Sequence, residues 1–170
     1  MRSLQQNNFC QEFTVTTKIF GVEVKVTPPT GNKQWDQPLF IEELKKNFSA
    51  DYIEVVKKIL SWASEKGLPI RWGSGGRQGT FYPDITIEGE RYSLFGVYTT
   101  GKIEIVFQSF PYDEEIKRNL ILELNKLDGV DIPEKAINSW KSFSMSSIIK
   151  EEAFSQFIQC FERLKTNNCQ

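Results

Sequence analysis

The hydrophobic pattern of this chain changes period several times, and these changes limit the folds that it can adopt. Apolar residues recur at helical spacing over 51 to 66, occur in short β-rich runs punctuated by glycine over 70 to 110, and return to helical spacing over 113 to 127 and 148 to 165. A period near 3.6 is typical of an amphipathic helix, and a period of two is typical of a half-buried strand. The sequence therefore predicts an α+β fold, in which an antiparallel sheet is covered by about three helices.

Each predicted helix has one apolar stripe that needs a surface to cover. Ser49 or Asp51 can cap the first helix, and Gly67 is expected to end it. The second helix carries acidic residues in its first turn, where the helix dipole favours them. The stripes include Val55, Val56 and Ile59 in the first helix, Leu120, Ile121 and Leu124 in the second, and Phe154, Phe157 and Phe161 in the third.

Two stretches of strand-like sequence flank the first helix. Residues 13 to 26 are strand-like, with apolar and polar or small side chains alternating from Phe20 to Val26. The segment 28 to 32 ends this pattern before a linker-like stretch that extends to about Pro38. Between 70 and 110 the pattern predicts an antiparallel meander, with turns at Glu88-Gly89 and at 99 to 101. We expect all of these segments to belong to a single domain over residues 1–170.

The clearest strand of the predicted meander runs from Lys102 to Gln108. Ile103, Ile105 and Phe107 point to one side of it, while the residues between them point to the other.

Histidine is absent from all 170 residues, which excludes many catalytic and metal sites. Serine and cysteine nucleophiles activated by histidine, and HExxH zinc sites, cannot be built from this chain. Cys10, Cys160 and Cys169 have no CxxC spacing, so we expect reduced thiols, with Cys169 reactive in a polar tail and Cys160 shielded. We predict no catalytic residue, no metal site and no cofactor.

The charge balance limits the choice of partners. The chain has 21 basic and 22 acidic residues, so it lacks the overall basic excess of a dedicated nucleic-acid-binding protein. An anionic partner would have to bind at a local cationic patch. The sequence shows neither a signal peptide nor an apolar run long enough to cross a bilayer, so we expect a cytoplasmic protein without membrane association.

Residues 71 to 81 form the most distinctive local motif, with four glycines, two arginines and no acidic residue. Glycine allows backbone amides to approach an anion closely, and arginine binds phosphate or stacks on bases. The alternative interpretation, a flexible β-turn that joins two strands, is the stronger of the two. The motif is not a Walker A loop, because it lacks the Gly-Lys-Ser/Thr ending, and it lacks the strand-to-helix setting of a Rossmann turn. The candidate ligand-binding residues are Arg71, Trp72, Gly73, Ser74, Gly75, Gly76, Arg77 and Lys102.

One tripeptide resembles part of a nuclease core. Glu23-Val24-Lys25 matches the E-x-K half of a metal-dependent nuclease motif, but no aspartate precedes Asp36. Without that first carboxylate the Mg²⁺ site would be incomplete. We therefore interpret this tripeptide as the solvent face of a strand and disfavour intrinsic nuclease activity.

Several motifs together resemble an uncharacterised bacterial domain. They are Arg71-Trp72-Gly73-Ser74-Gly75, Gly79-Thr80-Phe81-Tyr82-Pro83, Thr100-Gly101-Lys102-Ile103-Glu104-Ile105 and, on the following helix, Leu124-Asn125. The resemblance spans residues 38 to 165 and follows a WGxG, GSF-P and TxGxIxIxF pattern. It implies an accessory role beside restriction-type or repair-type nucleases, and it assigns no catalytic residue.

These observations leave two functional hypotheses. The first is a non-catalytic binding or accessory module, which contacts nucleic acid or a nucleic-acid enzyme through the 71–81 loop. The second is an enzyme that acts on a small phosphorylated or anionic substrate held by the same glycines. The first is favoured because no complete nucleophile or metal motif is present in the sequence.

Overall fold

The computed structural model of this chain describes residues 16–19, 22–25 and 33–166. The chain divides into two compact units, residues 1–31 and residues 32–170, so the single domain over 1–170 stays a prediction. In the first unit, β1 (Thr16–Ile19) and β2 (Val22–Lys25) form an antiparallel hairpin. The rest of the strand prediction over 13 to 26, the side chains of the E-x-K tripeptide, Cys10 and Cys169 lie outside the described residues.

The second unit contains four helices and a six-stranded antiparallel sheet, which confirms the α+β prediction. Strands β3, β4, β6, β7 and β8 lie in that order across the sheet, and β5 pairs with β4. The helices are α1 (Gln37–Asn47), α2 (Ala50–Glu65), α3 (Glu114–Leu124) and α4 (Glu151–Thr166). The strands are β3 (Ile70–Trp72), β4 (Thr80–Ile87), β5 (Glu90–Ser93), β6 (Gly96–Tyr98), β7 (Lys102–Val106) and β8 (Trp140–Ser144).

Local signals account for the start of α1 and the end of α2, whereas Ser49 precedes α2 without a side-chain capping hydrogen bond. The Asp36 carboxylate accepts a hydrogen bond from the Leu39 amide at 2.9 Å and so caps α1. Helix α2 ends in a Schellman motif, in which Gly67 has a φ of +66° and the Leu68 amide donates to the Ala63 carbonyl at 2.8 Å. The predicted helix over 51 to 66 thus lies within one residue of the observed α2.

The two predicted hairpin turns are present. Glu88 and Gly89 both have positive φ, as the type I′ turn between β4 and β5 requires. Between β6 and β7, the Gly101 amide donates to the Tyr98 carbonyl at 3.0 Å, and Gly101 has a φ of +71°. This is the arrangement of a three-residue hairpin loop that ends in a left-handed residue.

Strands β5 and β6 lie on the same side of β4 and are joined by a β-bulge. The register shifts by one residue between the Asp84–Ser93 pair and the Phe81–Val97 pair. One extra residue opposite β4 is the defining feature of a bulge. Because of it, the consecutive residues Leu94–Phe95 are both buried in the core.

Four parts of the structure differ from the sequence prediction. The helix predicted over 113 to 127 ends at Leu124. The strand predicted to reach Gln108 ends at Val106 and continues as a 3₁₀ turn over Phe107–Ser109. The helix predicted over 148 to 165 begins at Glu151, after a 3₁₀ turn over Met145–Ile148. Strand β8, which pairs with β7, was not predicted.

Candidate functional site

The second unit is a two-layer structure, because its helices pack on one face of the sheet. On this covered face, the ring centroids of Phe40 on α1 and Phe81 on β4 are 5.1 Å apart. Those of Phe143 on β8 and Phe157 on α4 are 6.1 Å apart. The side chains of β4, β6, β7 and β8 that are buried here are Phe81, Pro83, Ile85, Val97, Ile103, Ile105 and Phe143.

The opposite side, here called the open face, carries polar and aromatic side chains. Strand alternation and the pairing register place the residues between the covered positions on this side. They are exposed or half-buried except for Asp84 and Gly96, and no described helix packs on them. The open face comprises Arg71, Thr80, Tyr82, Asp84, Thr86, Arg91, Ser93, Gly96, Tyr98, Lys102, Glu104, Val106, Trp140, Ser142 and Ser144.

Arg71 is fastened to the open face by several contacts. Its Nε donates to Asp84 Oδ2 at 3.2 Å, and its Nη2 donates to Ser93 Oγ at 2.6 Å. Ser93 Oγ in turn donates to Asp84 Oδ1 at 2.7 Å. The guanidinium also lies over the Tyr82 ring, 4.4 Å from its centroid. A buried carboxylate needs such partners, so Arg71 supports the sheet while half of its side chain remains exposed.

A chain of hydroxyl groups crosses the centre of the open face. Tyr98 OH donates to Glu104 Oε2 at 2.5 Å, and Tyr82 OH lies 3.3 Å from Tyr98 OH. Because Tyr98 uses its proton on Glu104, Tyr82 is the donor of the second bond. Burial raises the pKa of Tyr98 well above its ordinary value, and its hydrogen bonds to Glu104 and Tyr82 raise that pKa further.

Gly96 makes room for these tyrosines. A Cβ at this position would lie 2.7 Å from the Tyr82 ring and 3.1 Å from the Tyr98 ring. Both rings therefore lie against the strand at Gly96, and a larger residue would push them off the sheet. The edge-to-face arrangement of Tyr82 and Tyr98, whose ring planes lie at 81° to each other, depends on this one glycine.

Trp140 is the most exposed aromatic side chain among the described residues. Its side chain is 58% exposed, and it pairs with Val106 at the β8 edge of the sheet. Sequence reasoning missed Trp140 as a site residue because it lies on the strand that was not predicted. The one available signal was the alternation of Trp140, Ser142 and Ser144 around Phe143.

The 71–81 loop is held in place near both of its ends. The Trp35 indole N–H donates to the Gly75 carbonyl at 2.9 Å, and Gln34 and Ser74 form an isolated β-bridge. At the other end, Gly79 and Thr99 exchange hydrogen bonds of 2.8 and 2.9 Å. The alternative interpretation of this segment as a turn between two strands agrees with its position between β3 and β4.

The predicted site residues are divided between several environments. Arg71 and Lys102 lie on the open face, whereas Trp72 lies on the covered face, where its ring centroid is 5.2 Å from that of Phe81. Gly73 fits against Thr80, and Ser74, Gly76 and Arg77 are exposed near the loop tip. The structure therefore brings Arg71 and Lys102 to one surface and assigns Trp72 to packing.

The helical side carries shallow grooves. A groove of about 220 Å³ between α3 and α4 is lined by Leu120, Leu122 and Cys160, and Leu122 is 63% exposed. Burial raises the pKa of the Cys160 thiol to about 11, which makes it a poor nucleophile. A second groove, of about 310 Å³, lies beside Trp62 and Lys66.

Within 16–19, 22–25 and 33–166, no group of three or more acidic or cysteine side chains is arranged to hold a metal ion. None of the helices in this part of the chain is both long and apolar enough to span a bilayer. Comparison with known proteins finds no family model, no curated protein and no solved structure that matches this chain.

Proposed function

We propose that this protein is a binding module that holds single-stranded nucleic acid on the open face of its sheet. The observation that carries the proposal is the placement of Tyr82, Tyr98 and Trp140 together with Arg71 and Lys102 on the one sheet face that no described helix covers. Bases stack on aromatic side chains, and arginine and lysine bind the phosphates between them.

The charges of the open face support an anionic partner. Its charged side chains are the cations Arg71, Arg91 and Lys102 and the acids Asp84 and Glu104. Asp84 is almost fully buried and forms an ion pair with Arg71, so the charges of these two groups largely neutralise each other. The other charged groups of the open face are the cations Arg91 and Lys102 and the acid Glu104, so this face has a small positive excess although the whole chain has a net charge of −1.

Fluorescence anisotropy with a labelled single-stranded oligonucleotide tests the proposal on the full chain. Because each neutralised phosphate on a single strand adds about −0.7 to the slope of log K against log salt, binding through two or three cations predicts a slope of about −2. The matched variants are Lys102→Ala on the open face and Lys45→Ala, an exposed lysine on α1. Lys102→Ala should make the slope less steep, and Lys45→Ala should not change it.

Trp140 provides the second test. Loss of a stacking aromatic costs about 1–3 kcal/mol per base, so Trp140→Ala should raise Kd by about 5- to 150-fold. Leu122→Ala removes another exposed apolar side chain from helix α3 and serves as the control. Oligonucleotide should also quench tryptophan fluorescence in the wild type, and Trp140→Ala should lose this quenching.

Arg71→Ala is a poor probe of binding, because it would leave Asp84 buried without its arginine. Arg77, which is exposed at the loop tip, is the better arginine to replace. An absence of oligonucleotide binding at low salt, or binding that is unchanged in both Trp140→Ala and Lys102→Ala, would refute the proposed function.

A further inference from the structure

Glu104 is an unusual residue to find at the centre of a surface that binds an anion. It lies on β7 between Gly96 of β6 and Ser142 of β8, and it is half-buried. Trp140 pairs with Val106, the next residue of β7 on the same face. Diagonal neighbours across two strands are about 7–8 Å apart, within the reach of long side chains. A ring stacked on Trp140 would therefore lie beside the Glu104 carboxylate.

Glu104 has acceptor capacity that no side chain or amide in the described part of the chain uses. Among the described residues, Tyr98 is the one hydrogen-bond donor to this side chain, and it occupies only Oε2. An ionised carboxylate has about four lone-pair sites and no proton to donate. The hydrogen-bond chain from Tyr82 through Tyr98 also ends at Glu104, so it supplies no further proton. A ligand group that hydrogen-bonds to the Glu104 carboxylate must therefore be the donor.

We infer that Glu104 selects bases that carry an exocyclic amino group, and that the open face consequently prefers cytosine to thymine or uracil. This inference rests on the proposed function. The N4 amino group of cytosine is a donor that a glutamate carboxylate accepts, whereas thymine and uracil present the acceptor O4 at the same position. A carboxylate opposite a carbonyl oxygen is unfavourable because neither group can donate.

Short oligo-dC and oligo-dT of equal length form a matched pair of ligands for the test. Both carry the same number of phosphates, so the electrostatic part of binding is the same for both. At slightly alkaline pH, where cytosine is neutral, the wild type should bind oligo-dC about tenfold more tightly than oligo-dT. This ratio is at the low end of what one hydrogen bond to a charged group provides.

Glu104→Gln isolates the role of the carboxylate. The amide keeps an acceptor for Tyr98 and adds a donor that thymine can use, so the variant should bind oligo-dC and oligo-dT with nearly equal Kd. Glu90→Gln, which changes an exposed glutamate of β5, should keep the wild-type ratio. Thermal unfolding followed by circular dichroism checks that both variants fold.

The possible outcomes separate the two proposals. If the wild type binds both oligonucleotides equally, or if Glu104→Gln keeps the preference for oligo-dC, the inference about Glu104 is wrong and the proposed function still stands. If the wild type binds neither oligonucleotide, the proposed function and the inference are both wrong. A preference for oligo-dC that is lost in Glu104→Gln and kept in Glu90→Gln supports the inference.

Discussion

Two different physical reasons require glycine in this protein, and alanine substitutions can test them separately. Gly101 combines both reasons, because its φ is +71° and a Cβ there would lie 2.6 Å from the Phe48 ring. Gly67 has a φ of +66° but nothing within 4 Å of an added Cβ. Gly79 has no left-handed φ, but its Cβ would lie 2.7 Å from the Trp35 ring.

Gly76 completes the set, because it has neither a left-handed φ nor a neighbour within 4 Å. Alanine at such a site restricts the unfolded chain, so Gly76→Ala should raise the free energy of unfolding by about 0.5 kcal/mol. A left-handed alanine costs about 1–2 kcal/mol and overpacking costs about 1–3 kcal/mol. The restriction of the unfolded chain offsets about 0.5 kcal/mol of each cost. The free energy of unfolding should therefore fall by about 1 kcal/mol in Gly67→Ala and in Gly79→Ala, and by about 3 kcal/mol in Gly101→Ala, which bears both costs.

Urea denaturation followed by far-UV circular dichroism measures these differences, provided that the variants share one m-value. The order of stability should be Gly76→Ala, then Gly67→Ala and Gly79→Ala together, then Gly101→Ala. A Gly101→Ala protein as stable as Gly67→Ala would show that the Phe48 ring moves aside at no cost. Destabilisation by Gly76→Ala would refute the assignment of free space at the loop tip.

Two further predictions concern ionisable side chains on α4. Cys160 is 5% exposed, and burial raises its pKa to about 11. A thiol reagent at neutral pH should therefore label Cys160 far more slowly in the native protein than in urea, as measured by peptide mapping. Equal labelling rates in the two conditions would contradict the burial of this thiol. The pKa of Glu162 is lowered from 4.5, mainly by its hydrogen bond with Lys66. The ion pair therefore stabilises the folded protein above pH 4.5, and this stabilisation is lost as the pH falls through the lowered pKa. Glu162→Gln should therefore melt below the wild type at neutral pH, and the gap between their Tm values should close in acid; a gap that does not depend on pH would contradict the ion pair.

Local signals predicted most of the helices and both hairpin turns. The apolar stripe of α2 and its terminal Gly67 act within a few residues, so their effect can be read without knowledge of the rest of the fold. The same is true of Glu88–Gly89, where a type I′ turn needs only two neighbouring residues with positive φ.

Strand β8 could not be predicted in this way, because its existence depends on a distant partner. The segment Trp140–Ser144 has a single buried apolar residue, Phe143, and otherwise polar or exposed side chains. Its hydrogen bonds go to β7, which lies on the far side of helix α3 along the chain. Short strands with weak alternation are determined by tertiary context more than by their own sequence.

Only part of the candidate site could be predicted, because the pairing of distant strands also decides which residues share a face of the sheet. Arg71 and Lys102 were identified from their types and their place in glycine-rich sequence, and they do lie on one face of the sheet. Trp72 was grouped with them because it is adjacent to Arg71, yet neighbouring residues of a strand point to opposite faces. The contact between Arg71 and Asp84 could not be predicted from the sequence, because it depends on the pairing of β3, β4 and β5.

The long return of the chain to β8 also has a consequence for the order in which the sheet assembles. Strands β4 to β7 are joined by short loops, so each pairing closes only a few residues of chain. The pairing of β7 with β8 instead closes a long loop that contains all of α3. The entropic cost of closing a loop grows with the length of the loop. We therefore expect β8 to join the sheet late in folding and to detach early in unfolding, so that the edge bearing Trp140 is the least protected part of the sheet against amide hydrogen exchange.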